Sequence, residues 1–109
     1  MNINNFVIAN KDIDNIVKNS VGVIKALNGN SAIVLFIGKN ELKRTEIENL
    51  EIIDIYKTGK GYKNKICNIC HILKPTNDFE INQTDAKGIK TTRPSCRECR
   101  KAIDGVKLS

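Results

Sequence analysis

The sequence predicts a mainly β chain: a small β-barrel followed by a compact α+β module organised around four cysteines. Three observations carry this. Two β-branched runs, Val21-Gly22-Val23-Ile24-Lys25-Ala26-Leu27 and Ala32-Ile33-Val34-Leu35-Phe36-Ile37, flank the turn Asn28-Gly29-Asn30-Ser31. All four cysteines fall in the second half, as two Cys-x-x-Cys pairs. Charge splits the same way: residues 1–55 carry 6 basic and 7 acidic side chains, whereas residues 56–109 carry 12 and 5, a net of −1 against +7.

Phe6-Val7-Ile8-Ala9 reads as a short apolar start. Ile13, Ile16 and Val17 stand at helical spacing and predict a helical turn. The Asn-Gly turn predicts a hairpin, because Asn and Gly tolerate the positive φ angles of a tight reversal. Gly38-Lys39-Asn40 marks another turn, and Glu41 to Ile47 a third strand. Glu48-Asn49-Leu50 suits a one-turn helix, and Glu51 to Ile55 a fourth strand. Several short strands in about 50 residues predict a small barrel. The order resembles an SH3-like barrel over about residues 18 to 55, a fold that serves nucleic-acid, peptide and scaffolding roles alike. The barrel is expected over residues 1–56.

Residues 57–63 are expected to form a basic linker, and residues 64–109 the cysteine module. Tyr56 to Lys65 holds two Gly, four Lys and two Tyr. Without a Gly-Lys-Ser/Thr ending it is not a phosphate-cradling loop. Lys57, Lys60, Lys63 and Lys65 are candidates for backbone phosphates of a nucleic acid. Arg93, Arg97 and Arg100 suit base edges or bidentate phosphate contacts, because guanidinium presents a planar fork. The bland alternative for all of them is a solvated cationic surface.

The pairs are Cys67-Asn68-Ile69-Cys70 and Cys96-Arg97-Glu98-Cys99, separated by 25 residues. A two-residue spacing lets one tight turn aim two sulfurs at one ion, and two such turns close a tetrahedron. Cys67, Cys70, Cys96 and Cys99 are therefore expected to hold Zn²⁺ as a structural ion. Disulfides and a redox pair are the competing readings. Disulfides fit poorly, since Met1-Asn2-Ile3-Asn4-Asn5 lacks the basic and apolar regions of a secretory signal. A redox pair needs no second copy. The long gap calls for an inserted hairpin, with Lys74-Pro75 and Asn82 to Gly88 as turns around Phe79-Glu80-Ile81. Cys99 to Asp104 has helical character, with Gly105 as its expected stop. Knuckle, hairpin, then knuckle leading into a helix is a treble-clef-like arrangement.

These residues carry a second resemblance. Cys67-Asn68-Ile69-Cys70-His71-Ile72-Leu73-Lys74-Pro75-Thr76-Asn77-Asp78-Phe79, followed by Ser95-Cys96-Arg97-Glu98-Cys99-Arg100-Lys101-Ala102, resembles the four-cysteine zinc module that accompanies HNH, or ββα-metal, endonucleases. The matching positions are Lys74, Pro75 and Phe79 after the first pair, and Arg97, Arg100 and Lys101 around the second. An SH3-like β-barrel followed by a treble-clef-like four-cysteine zinc finger resembles the N-terminal part of a type II restriction endonuclease of that class. The resemblance implies double-stranded DNA as partner, with Lys101 beside the basic candidates. It also implies a homodimer in the complete enzyme, and hydrolysis with Mg²⁺ or a similar ion in a downstream repeat. A stand-alone zinc nucleic-acid-binding protein and a zinc-stabilised protein-interaction module remain open.

No catalytic residue is expected. HNH chemistry needs a general-base His and further ligands for the ion, and His71 is the single histidine. His71 is expected to lie exposed beside the first knuckle. Asp85-Ala86-Lys87 and Glu41-Leu42-Lys43 match the end of a Pro-Asp…Asp/Glu-x-Lys nuclease signature, but lack its Pro-Asp. The chain is thus expected to stop short of a nuclease site. No apolar run nears the roughly 18–20 residues of a membrane span, and a cytoplasmic chain is expected.

Overall fold

The computed structural model describes residues 1–59, 61–84, 86–88 and 90–107. The first half forms a five-stranded antiparallel sheet of strands β1 (Phe6–Ala9), β2 (Val21–Asn28), β3 (Ser31–Phe36), β4 (Glu41–Glu46) and β5 (Leu50–Ile52), in the order β4-β3-β2-β1-β5. The β2–β3 hairpin closes with Asn28 opposite Ser31, and Gly29 takes φ 59 in the turn. Along β3 the side chains alternate: Ala32, Val34 and Phe36 are buried and Ile33 is exposed, so one face meets the core. That core gathers Val7, Ala9, Ile16, Ile24, Ala32, Val34, Phe36 and Leu50.

Three local expectations change. The apolar start is a central strand: β1 lies between β2 and β5, with Val7 opposite both Gly22 and Ile52. The segment of Ile13 and Ile16 is a tight reversal rather than a helical turn. Ile13 and Ile16 exchange backbone bonds of 2.8 Å, Asp14 takes φ 51, and the Asp12 carboxylate accepts from the Lys18 N–H at 2.7 Å. Short polar side chains tolerate that left-handed corner and bond to nearby backbone, which outweighs a weak helical period. The last strand ends early, at Ile52, and a 3₁₀ turn spans Ile55–Lys57. Asp54 caps it, its carboxylate accepting from the Tyr56 N–H at 3.0 Å. The helical turn expected at Glu48 is a 3₁₀ turn over Ile47–Asn49.

The second half builds two hairpins and a helix. Strand β6 (Asn64–Ile66) pairs with β7 (Leu73–Pro75) around the first cysteine pair, and β8 (Ile81–Thr84) pairs with β9 (Lys90–Thr92) as the inserted hairpin; Lys74-Pro75 and Asn82 to Thr84, expected as turns, lie in β7 and β8, because pairing with a distant strand overrides local turn preference. Helix α1 (Arg97–Lys107) starts directly after Cys96 and continues through Gly105. An internal glycine weakens a helix by about 1 kcal/mol relative to alanine, which slows but does not stop it.

The halves are joined by backbone. The Val21 N–H donates to the His71 carbonyl and the Leu73 N–H to the Asn19 carbonyl, both at 2.8 Å, around a bridge between Ser20 and Ile72. Gly38 is required here, since a Cβ would collide with the Cys70 carbonyl.

Candidate metal centre and basic surface

The two knuckles bring the sulfurs of Cys67, Cys70, Cys96 and Cys99 to within 4.8 Å of one another. Cys67 Sγ lies 3.7 Å from Cys99 Sγ, and Cys70 Sγ lies 4.0 Å from Cys96 Sγ. A tetrahedron with metal–sulfur bonds of about 2.3 Å has sulfur–sulfur edges of about 3.8 Å, whereas a disulfide needs about 2.05 Å. All four thiols are free, and the cluster fits a tetrahedral thiophilic ion.

Local sequence explains the aim of the sulfurs. His71, at φ 50, turns the chain after Cys70, and its N–H bonds back to the Cys67 carbonyl at 3.0 Å. The Asn68 N–H reaches the Pro94 carbonyl, and the Ser95 hydroxyl reaches Asn68 Oδ1 at 2.8 Å, so the knuckles hold each other. Phe79 is fully buried against Cys67 and Cys96.

Burial opposes ionisation of Cys67, but the N–H groups of Cys96, Cys70 and Ile69 outweigh it and lower its thiol to about 6. Burial instead raises the Cys70 and Cys99 thiols. Burial also disfavours the charge of Lys74, yet the Cys96 sulfur at 3.3 Å and Glu98 at 3.4 Å hold its ammonium above the usual range. Lys74 was named above by resemblance alone. A contact across 22 residues leaves no periodic trace in sequence.

The basic candidates separate. Lys57, Lys63 and Lys101 are exposed. Lys60 lies outside the described residues. Lys65 is turned inward rather than toward a phosphate. Its ammonium donates to the Thr92 hydroxyl at 2.7 Å, the Arg93 carbonyl at 2.8 Å and the Thr92 carbonyl at 3.1 Å, and sits 5.1 Å from the Phe79 ring centroid. Those three acceptors use all the protons an ammonium has. Burial accordingly lowers its pKa. Arg93 faces Glu80 at 3.6 Å, exposed Arg97 donates to the Asn77 carbonyl at 3.3 Å, and Arg100 is half-buried with a buried Nε that has no hydrogen-bond partner among the described residues.

His71 is half-buried and outside the sulfur cluster, with Nδ1 3.3 Å from the Ile69 carbonyl. Glu41 and Lys43 face each other at 3.2 Å on β4, and Glu41 also accepts from Asn15 at 2.8 Å, a surface network. Asp85 lies outside the described residues.

Comparison with known proteins places this architecture. Residues 1–53 match the model of the restriction endonuclease SH3 domain, and residues 54–105 that of the His-Me finger endonuclease beta4-alpha2 domain. Each half of the chain thus matches the model of an endonuclease domain. The four strands β6–β9 supply the β part of the second, and among the described residues one α-helix follows. A solved structure, the beta-beta-alpha-Me type II restriction endonuclease Hpy99I, is 71% identical with a TM-score of 0.91. The alignment covers 95% of this chain and 55% of that one, so the chain spans about half the length of that enzyme. No curated protein matches. Among the described residues no helix is long and apolar enough to cross a membrane.

Proposed function

We propose that the chain is the DNA-binding, zinc-stabilised part of a site-specific type II restriction endonuclease, and that it grips double-stranded DNA without cutting it. The observation that carries this reading is the match of residues 1–53 to a restriction endonuclease SH3 domain and of residues 54–105 to a His-Me finger endonuclease domain. Charge supports the basic half as the DNA side. Its net +7, less about 2 for a zinc ion with four thiolates, leaves about +5 for phosphates. Lys57, Lys63, Lys101 and Arg97 are the accessible cations that would meet the backbone, with Lys60 beside them in sequence. Zn²⁺ is the ion that suits four thiolates at these separations, and its role is structural because four sulfurs leave no open position.

Phosphodiester hydrolysis belongs to a further repeat bearing its own Mg²⁺-type ion. A single histidine cannot serve both as general base and as metal ligand. A homodimer suits enzymes that cut two-fold symmetric sites.

Fluorescence anisotropy with duplex DNA across a salt series tests the reading. Lys57→Ala with Lys63→Ala is expected to weaken binding to all sequences and to reduce the salt slope by about 1.8, or 0.9 per phosphate contact. An unchanged slope removes these lysines from the interface. No salt-dependent affinity at all would favour a protein-interaction module.

A further inference from the structure

The four sulfurs do not share their surroundings evenly. Cys67 Sγ accepts backbone N–H bonds from Ile69 at 3.3 Å, Cys96 at 3.4 Å and Cys70 at 3.5 Å. Cys96 Sγ instead receives a side-chain cation, the Lys74 ammonium, at 3.3 Å. Lys74 is well covered, its side chain 17% exposed, and it arrives from β7, 22 residues before Cys96 in sequence. Glu98, in the first turn of α1 and 88% exposed, meets the same ammonium at 3.4 Å.

A divalent ion held by four thiolates carries a net charge of about −2 inside a small, half-buried cluster. One ammonium against one sulfur offsets about half of that charge and adds a charge-assisted hydrogen bond. Partners of this kind orient the ligand and tune the ion, and their removal typically costs 10–100-fold in metal affinity. The exposed Glu98 carboxylate adds little energy of its own, but it sets where the ammonium points.

We propose that Lys74 is a positioning residue of the zinc centre: clamped between the Cys96 sulfur and the Glu98 carboxylate, its ammonium holds Cys96 on the ion and slows loss of the metal. This rests on the zinc reading above. It also gives the sequential neighbour of Pro75 a task distinct from that of the exposed lysines, which face solvent.

Chelator competition on the zinc-loaded chain tests the proposal. Lys74→Met, which keeps the length and removes the charge, is expected to weaken zinc binding by about 10–100-fold. Glu98→Gln is expected to change it by less than about threefold. Cobalt substitution supplies a readout that mere packing would not move. The sulfur-to-cobalt charge-transfer band of Lys74→Met is expected to shift from its wild-type position, because one sulfur has lost a hydrogen bond. If Lys74→Met does not fold with zinc, the same two measurements are read on Lys74→Gln, with the same expected directions. A folded neutral variant with wild-type zinc affinity and an unmoved cobalt band overturns the role of Lys74. A wild-type chain that takes up no stoichiometric zinc overturns the zinc reading instead.

Discussion

The barrel and the cysteine module solve one problem in different ways. The barrel buries eight apolar side chains, with Phe36 and Ile24 among the most enclosed, in a core drawn from four of its strands and the loop that carries Ile16. The second core consists of Cys67, Phe79 and Cys96, with Cys70 and Cys99 at its rim. Apolar burial at about 25 cal/mol per Å² can sustain the first. It cannot sustain the second, where, on the zinc reading proposed above, coordination supplies what hydrophobic area does not. On that reading one short chain carries two different sources of stability, and the seam of backbone bonds between them makes each sensitive to the other.

The largest test of that contrast is metal removal. Structural zinc contributes about 10–16 kcal/mol in small metal-held modules, so Cys67→Ser or chelation is expected to unfold β6–β9 and α1 while β2–β3 stays folded. Hydrogen exchange reads both: protection is lost in β8–β9 and kept in β3. The barrel is expected to melt a few degrees lower, because the Val21 N–H loses the His71 carbonyl. Metal uptake must also displace protons. Because the metal-free module is expected to be unfolded, its thiols are ordinary protonated thiols at pH 7, and calorimetry in two buffers is expected to show about four protons released on zinc uptake, so acid drives the ion off.

The converse variant is Phe36→Ala, expected to cost about 3–5 kcal/mol. It should abolish the barrel's cooperative melt yet leave zinc stoichiometry intact. Loss of zinc in that variant would mean that the second module depends on the first.

The seam itself is tested by Gly38→Ala. The added Cβ meets the rigid Cys70 carbonyl, so a cost of about 1–3 kcal/mol is expected. A single thermal transition should separate into two. A single unchanged transition would show that the carbonyl moves aside at no cost.

The smallest effect is expected for Lys65→Met, about 1 kcal/mol of stability for acceptors that lose their donor. The salt slope of DNA binding should not change, in contrast to Lys57→Ala with Lys63→Ala. A reduced slope would return Lys65 to the DNA surface.

Most of this architecture could be read from short-range chemistry. The Asn28-Gly29 turn, the β-branched runs that flank it and the two Cys-x-x-Cys spacings are each decided within a few residues, because turn geometry and ligand aim are local. Three features required the folded chain. Phe6–Ala9 is a central strand only because β5, more than 40 residues later, pairs with it. Lys65 looked like its basic neighbours until β9 placed Thr92 and Arg93 around its ammonium. Lys74 meets Cys96 only after the two knuckles close on each other. The sequence alone determined which residues can turn, alternate or bind a metal, since these are properties of a residue and its near neighbours. Tertiary structure alone decided which cations face solvent and which serve the interior, because that depends on acceptors brought from distant segments.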